Sequence, residues 1–354
     1  MSSGGIAQLI ATGIQDIHIT GAPEVSFFSS TFKRHTPFAT TVERQVIQGN
    51  VTANGMSTVR FERKGDLLGY TFLVPLVGSG TPEANVSITD WSTVIDSCEL
   101  YIGGQQIDVQ DSRFTQHIAP KVLASTFSKS YAANVYGGAN TRSAFYPLRF
   151  TFCESWQTAI PLVATSFHDI ELRINWGPQA AASKWECYSA YVYLDTAERQ
   201  ALQAKPLEQL VTQVQKSIAS SAKVHELNFN HPVKVLAAAN PSGVTLLHTQ
   251  NKLKLQINGT DVTDFKFSRP HFTRIPAYYH LPYASMDTED EGELLVYPFC
   301  LESSRHQPTG SLNWSRLDSA RIVSETQNSA DDIYAVNYNI LKYSNGVCAL
   351  LYSN

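Results

Sequence analysis

The chain has 354 residues, of which 43% are hydrophobic and 16% charged, with 16 Tyr and 17 Phe. That is enough apolar chain for two domains or one large β domain, and it excludes disorder as the dominant state. A formal net charge of -4 with no Lys/Arg block argues against unaided binding to nucleic acid, because phosphate contacts need clustered cations.

The opening Met-Ser-Ser-Gly-Gly lacks a basic region, and Ile6, Leu9 and Ile10 are interrupted by Gln8 and Thr12, so no signal peptide is expected. The longest apolar run, 67–77, is too short to span a bilayer. Residues 1–24 read as an arm. Ile6, Leu9, Ile10, Ile14 and Ile17 fit one helical face, whereas Ile17 and Ile19 alternate as in a strand, and the pattern leaves both open.

Residues 25–194 carry the runs and turns of a first β domain, with strands expected at 57–61, 70–77, 148–152, 169–176 and 189–194. Gly103-Gly104 inside Glu99-Leu-Tyr-Ile-Gly-Gly-Gln-Gln-Ile107 marks a two-residue hairpin. The stretch 113–125 is less β-like and suits a helix in a connection, and 131–142, rich in Ala, Asn and Gly, reads as an exposed loop. Asp195-Thr-Ala-Glu198 resembles a capping box opening a short helix that ends before Pro206, so 195–206 is the expected linker.

Residues 207–354 form the expected second domain. Its first run, 207–218, fits a helix through Leu207, Leu210, Val211, Val214 and Ile218, and a strand through Leu210, Thr212 and Val214. The second half also repeats the first. Glu99-Leu-Tyr-Ile-Gly-Gly is echoed by Lys254-Leu-Gln-Ile-Asn-Gly, and Tyr146-Pro-Leu-Arg-Phe by Tyr297-Pro-Phe-Cys-Leu, in the same order and each about 150 residues on. A duplicated unit of that length, with short strands and turn signals, suits an eight-stranded jelly roll.

The most distinctive stretch is 296–322. An apolar run is punctuated by Pro308 and Gly310; Leu312 and Trp314 stand at period two, the pattern breaks through Ser315, Arg316, Leu317 and Asp318, and Ala320 and Ile322 resume the parity. This reads as a bulge or corner with Arg316 and Asp318 placed to tie down loose backbone. Catalytic signatures are absent: there is no Gly-x-Ser-x-Gly, His-Glu-x-x-His, phosphate-cradling loop or Cys-x-x-Cys. His225 and His231 are the nearest approach to a metal cluster, and the acidic run Asp287, Glu289, Asp290, Glu291, Glu293 lacks the spacing of a calcium loop and reads as a solvated turn. Neither cofactor nor metal is expected. The five scattered cysteines, Cys98, Cys153, Cys187, Cys300 and Cys348, read as reduced, mostly buried thiols of a chain folded in the cytosol. Asn50, Asn85, Asn258 and Asn313 head weak glycosylation sequons, with Asn313 expected to be partly buried beside Trp314.

Tyr297-Pro-Phe-Cys-Leu-Glu302 followed by His306-Gln-Pro-Thr-Gly-Ser-Leu-Asn-Trp-Ser-Arg-Leu-Asp318 resembles the hallmark of the double jelly-roll major capsid proteins of large eukaryotic DNA viruses. In that family Phe is common where this chain has Trp314. The resemblance extends to Gln15-Asp-Ile-His-Ile-Thr-Gly-Ala-Pro-Glu-Val-Ser-Phe-Phe28, Phe32-Lys-Arg-His-Thr-Pro-Phe38, Tyr193-Leu-Asp-Thr-Ala-Glu-Arg199, His231-Pro-Val-Lys234, Tyr334-Ala-Val-Asn-Tyr-Asn-Ile-Leu341 and Leu351-Tyr-Ser-Asn354. It carries His306, Pro308, Gly310, Asn313, Trp314, Ser315, Arg316 and Asp318 over as structural motif residues, and it favours a strand for 207–218. The resemblance implies an all-β chain of two consecutive eight-stranded jelly rolls and a non-enzymatic major capsid protein. It further implies a homotrimer that tiles an icosahedral shell with neighbouring capsomers and with vertex and minor capsid proteins, no direct contact with nucleic acid, and an arm under the capsomer that reaches an internal membrane. Synthesis in the host cytoplasm and residence in the virion follow from the same resemblance. The tight turns after Gly103 and Gly259 point to low towers on the outer face. The alternative from the residues alone is a carbohydrate-binding or glycan-cleaving β-sandwich, for which five Trp and 16 Tyr supply stacking surfaces.

Overall fold

The computed structural model describes residues 3–11, 13–77, 88, 90–130, 145–282 and 294–353. It divides into two units, Met1–Pro37 and Phe38–Asn354.

The first unit answers the ambiguity of the arm in favour of helix. Ser3–Ile10 forms helix α1, and a turn at Ile14–Asp16 leads into a short helix at Ile17–Thr20. Asp16 Oδ2 accepts from Gly13 N at 2.9 Å and closes the turn. Among the described residues no strand forms before Phe38, so the β structure begins later than residue 25.

The second unit is built from β-sheets that occur twice. In its first half, β1 (Phe38–Gln45), β2 (Met56–Arg60), β3 (Leu67–Val77), β4 (Ile95–Ile102), β5 (Gln105–Asp111), β6 (Tyr146–Pro147), β7 (Ile170–Trp176) and β8 (Ser183–Leu194) form one sheet of order β1-β8-β3-β6 and a second containing β2-β7-β4-β5. Helix α2 (Ala119–Val122) lies in the connection from β5 to β6, and helix α3 (Thr196–Ala204) joins the halves. The second half repeats the plan with β9 (Leu207–Ser217), β10 (Val224–Glu226), β11 (Pro232–Ala238), β12 (Lys252–Ile257), β13 (Thr260–Asp261), β14 (Leu295–Pro298), β15 (Ala320–Ser324) and β16 (Ile333–Ser344). Its sheets run β9-β16-β11-β14 and β10-β15-β12-β13, so each strand has its counterpart eight positions on. Helix α4 (Arg274–His280) occupies the connection from β13 to β14. This is the double jelly roll, with all the strand pairs in the four sheets antiparallel.

The register explains the repeat seen in the sequence. Phe72 pairs with Tyr188 on one side and Pro147 on the other, and Val235 pairs with Val336 and Pro298 in the same places. The two Tyr-Pro phrases are therefore the same strand of the two barrels. Both hairpin turns need left-handed backbone, with φ of +58° and +80° at Gly103 and Gly104 and +49° and +77° at Asn258 and Gly259.

Each half centres on its own core, and the first core also takes in Val211, Leu341, Tyr343 and Cys348 of the second half. Leu68, Leu73, Trp91, Ile95, Leu172, Ile174 and Trp176 anchor the first, and Leu236, Leu253, Leu255, Leu295, Trp314 and Ile322 the second. The alternation in β7, buried at Ile170, Leu172, Ile174 and Trp176, is the period-two signature of a strand with one face inward. All five cysteines are free and four are buried; burial pushes Cys187 and Cys348 up to about 12.

Some expectations are corrected. The run 148–152 is not a strand: the pairing stops at Pro147 and Thr151–Glu154 forms a helical turn. Arg149 is the cause, because it is buried with Nη1 3.1 Å from Glu154 Oε1 and Nη2 donating to Lys129 O at 2.9 Å, which bends the chain back on itself. The helix after Asp195 forms at Thr196–Ala204, but the Asp195 side chain makes no capping bond. The Arg199 side chain instead ties the helix to Asp66, at 2.9 Å through both Nε and Nη2. The loop expected at 131–142 falls wholly outside the described residues, as does the acidic run 287–293.

Candidate functional site

The most heavily built region is the joint between the barrels. The connection after β5 leaves the first barrel and lays Phe114, Ile118, Ala119, Val122 and Leu123 against Val235, Ala237, Val296, Tyr334 and Val336, which point outward from the sheet of the second. That sheet is thereby covered on both faces, which is why β16 is buried at seven consecutive residues from Ile333.

Charges frame this apolar contact. Tyr334 Oη donates to Asp111 Oδ2 at 2.6 Å, and Lys216 Nζ reaches Asp111 Oδ2 at 3.1 Å and Asp332 Oδ2 at 2.9 Å. Burial and the adjacent Asp111 raise the Tyr334 hydroxyl well above its ordinary range, so it remains a donor. Burial alone would raise Asp332, but the Lys216 and Ala219 hydrogen bonds hold it below the usual carboxylate value. Deeper in the joint, Asp108 Oδ1 accepts from Val214 N at 2.8 Å and Oδ2 from Gln110 Nε2 at 2.9 Å, and burial pushes its carboxyl up to about 7 despite those bonds. At the end of the chain, His168 Nδ1 lies 2.9 Å from Cys348 O and 3.2 Å from Cys348 N, and Phe167 N donates to Gly346 O at 2.9 Å.

The stretch 296–322 borders this joint. Gly310 has φ of +129°, and a Cβ there would meet Phe299 O at 3.0 Å, so glycine is required. Thr309 Oγ1 accepts from Glu302 N at 3.1 Å and closes the loop over half-buried His306 and exposed Pro308. Ser303, fully buried, accepts from Lys234 Nζ on its carbonyl at 2.7 Å and donates its hydroxyl to Val122 O at 2.8 Å. Beyond the loop, Asn313 Oδ1 caps Ser315 N at 3.1 Å, Ser315 Oγ accepts from His231 N at 2.9 Å, and Trp314 is buried between Phe229 and Phe299. The corner is thus tied by Asn313, Ser315 and Asn258, whose Oδ1 accepts from Asp318 N at 2.9 Å and Ser319 N at 3.1 Å. Arg316 and Asp318, expected to do this with their side chains, are exposed. A short polar side chain lying beside a free backbone N–H ties it with less loss of side-chain freedom than a long arginine would.

Asn313 is exposed rather than partly buried, Asn50 and Asn258 are exposed, and Asn85 lies outside the described residues. His225 and His231 are not brought together as ligands: the His225 ring sits between Ser217 Oγ at 2.9 Å and Ser329 Oγ at 2.6 Å. Among the described residues no group of three or more His, Cys, Asp or Glu is placed to hold a metal.

Sequence reasoning missed Lys234 and the joint. Lys234 is buried, burial drives its ammonium down to about 8, and its signal was a lone cation inside the apolar run Val233-Lys-Val-Leu-Ala-Ala-Ala239. Among the described residues two apolar surfaces of the second unit remain open. One is the outward face of the first sheet, with Phe72 stacked on Tyr70 and Tyr188 and with Trp156 edge-on to Tyr70. The other is α4, whose Ile275, Tyr278 and Tyr279 are exposed; its end is pinned where His280 Nδ1 meets Cys300 O at 2.9 Å.

Paired jelly rolls of one topology, joined where a connection of the first lies on one sheet of the second, define a double jelly-roll protein of the kind seen in solved viral capsid subunits. The fold matches VP54 of PBCV-1 with a TM-score of 0.77 at 22% identity, covering 93% of this chain and 100% of that one. It matches the Faustovirus major capsid protein with a TM-score of 0.61 at 12% identity, covering 96% and 97%. Residues 26–195 match the family described as major capsid protein N-terminus, and residues 245–349 that described as large eukaryotic DNA virus major capsid protein. The major capsid protein of Pyramimonas orientalis virus is 32% identical, and that of Paramecium bursaria Chlorella virus 1 is 26% identical, each over 99% of this chain and 100% of the relative. The chain belongs to the family of major capsid proteins of large eukaryotic DNA viruses.

Proposed function

We propose that the chain builds the shell of a virus particle: three copies close into a capsomer of six similar barrels, and capsomers tile an icosahedral lattice with vertex and minor capsid proteins. The observation that carries this reading is the strand-for-strand match of the two halves, β1-β8-β3-β6 against β9-β16-β11-β14. Two equivalent barrels per chain let a threefold object present six similar edges, so it fills a hexagonal position. The work is burial of apolar surface, and it needs neither cofactor nor turnover. The arm, with exposed Ile10, Ile14, Ile19, Phe27, Phe28 and Phe32, supplies apolar surface for a partner on the inner side, an internal membrane or a minor capsid protein.

Light scattering on the purified chain, with negative-stain images of the same peak, tests the reading. A species of about 117 kDa, three times the 39.1 kDa chain, with a hexagonal outline is expected. A monomer that neither associates with concentration nor enters a particle with its capsid partners would refute it.

A further inference from the structure

Each half of the body carries the same two apolar features, and among the described residues only one combination of them is satisfied within the chain. In the second half the outward face of the β9-β16-β11-β14 sheet is sealed: Val235, Ala237, Val296 and Val336 are 0% exposed beneath Phe114, Ile118 and Val122. The cover comes from the connection between the fifth and sixth strands of the first half. By register, Phe72 is the counterpart of Val235, Tyr188 of Val336 and Val74 of Ala237. Those counterparts are only partly buried, and beside them Tyr70 is 38% and Trp156 52% exposed. An antiparallel sheet with one face to water carries polar residues there, so an aromatic outer face implies a cover.

The matching connection of the second half holds α4. Ile275, Tyr278 and Tyr279 are spaced i, i+3, i+4, so they share one side of the helix, and they are 40%, 69% and 70% exposed. The connection in the same place of the first half, which holds α2, is the one that seals the joint. His280 and Ser303 fix the end of α4 to the loop after β14, so the stripe is held rather than trailing.

We propose that the unsatisfied pair meets between copies: Ile275, Tyr278 and Tyr279 of one chain seat on Tyr70, Phe72, Trp156 and Tyr188 of the next, in the manner of the joint inside each chain. The contact is heterologous, one patch meeting a different one, and repeats from copy to copy until the ring closes. It rests on the closed-trimer reading and assigns that trimer its contact surface. Tyrosine and tryptophan are the side chains that dominate such contacts once water is excluded around them.

The test compares the wild-type chain with a helix variant, Tyr278→Glu with Tyr279→Glu, and a sheet variant, Trp156→Glu with Tyr70→Glu, by light scattering at equal concentration. These side chains are exposed in the monomer, and circular dichroism and thermal unfolding check that each variant folds. Each should weaken the contact about a hundredfold or more and stay at 39.1 kDa. Mixed in equal amounts they should stop at a two-chain species, because the wild-type helix of one still fits the wild-type sheet of the other while the return contact is lost on both sides. Variants that remain trimeric overturn this assignment and leave the trimer standing; a wild-type chain that never self-associates overturns both. A photo-cross-linking benzophenone at position 278 gives a readout that does not depend on weakening anything. In mixtures with isotope-labelled wild-type chain it should attach to labelled peptides containing Tyr70, Phe72 or Trp156, and attachment only elsewhere overturns the proposal.

Discussion

Replacing Trp314 by Phe should cost little, and replacing it by Ala should cost much. The indole is 2% exposed and lies edge-on between Phe229, at 5.5 Å between ring centroids, and Phe299, at 6.1 Å. Its Nε1–H is buried with no acceptor among the described residues. Phe removes about three ring atoms, a loss of about 2 kcal/mol at about 0.8 kcal/mol per methylene-sized group. It also removes an unpaired buried donor, which returns about 1–3 kcal/mol. The two nearly cancel, and Trp314→Phe should change stability by no more than about 1 kcal/mol. Ala gains the same relief but leaves a cavity between the two phenyl rings, and the usual cost of about 3–5 kcal/mol for such a truncation falls only in part. The difference between the variants therefore isolates the ring, at about 2–3 kcal/mol. Urea unfolding at fixed protein concentration measures both, since association adds to apparent stability. A Phe variant as damaged as the Ala variant would refute the reasoning, because it would mean that the N–H is satisfied and that the indole's extra bulk is irreplaceable.

Asp108 should give the joint a pH dependence of definite sign. Its carboxyl is raised from 3.8 to about 7, so the folded chain keeps a proton that the unfolded chain has shed. Its contribution is full below about pH 3.8 and is lost as pH rises through about 7. Asp108→Asn removes that term, so the stability of the variant relative to wild type should rise between pH 5 and pH 8 in paired urea titrations, even though Gln110 loses an acceptor and the variant starts lower; parallel curves would exclude the effect. At Lys234, burial lowers the ammonium to about 8, and Lys234→Met keeps the length while removing the buried charge. The relief of the buried charge is offset by the loss of the donor to the buried Ser303 carbonyl, about 1–3 kcal/mol, so the thermal midpoint should move little, while Lys234→Ala, which also leaves a cavity, should lower it.

Much of the fold is written in local pattern. The period-two burial of Ile170–Trp176 and the Gly103-Gly104 and Asn258-Gly259 turns follow from rules that act within a few residues. What fails is what depends on distant partners. The run 148–152 alternates like a strand, yet a buried Arg149 held by Glu154 and Lys129 O overrides it. Asp195 and Glu198 have the spacing of a capping box, yet Arg199 is drawn to Asp66 on the first barrel. At the 296–322 corner the sequence located the break in pattern but not the agents, because Asn258 comes from a hairpin turn some sixty residues earlier in the chain.

The joint and its open counterpart show why the site itself was only half legible. The runs Tyr70-Thr-Phe-Leu-Val-Pro-Leu-Val77 and Val233-Lys-Val-Leu-Ala-Ala-Ala239 are apolar at both parities, which in an antiparallel sheet means that both faces are covered. Periodicity reports that a cover exists and is silent on which chain provides it. For β11 the cover is this chain's own α2 region, and Val235 and Ala237 are sealed. For β3 the described residues supply only edge contacts, Phe145 on Phe72 and Trp156 on Tyr70, and Tyr70 stays partly exposed beside a half-exposed Trp156. A monomer optimised for itself would carry polar residues at those positions of β3, as single-sided sheets do. Two halves built on one plan, one face sealed from within and its counterpart left apolar, are what a subunit carries when its second cover arrives with the neighbouring copy.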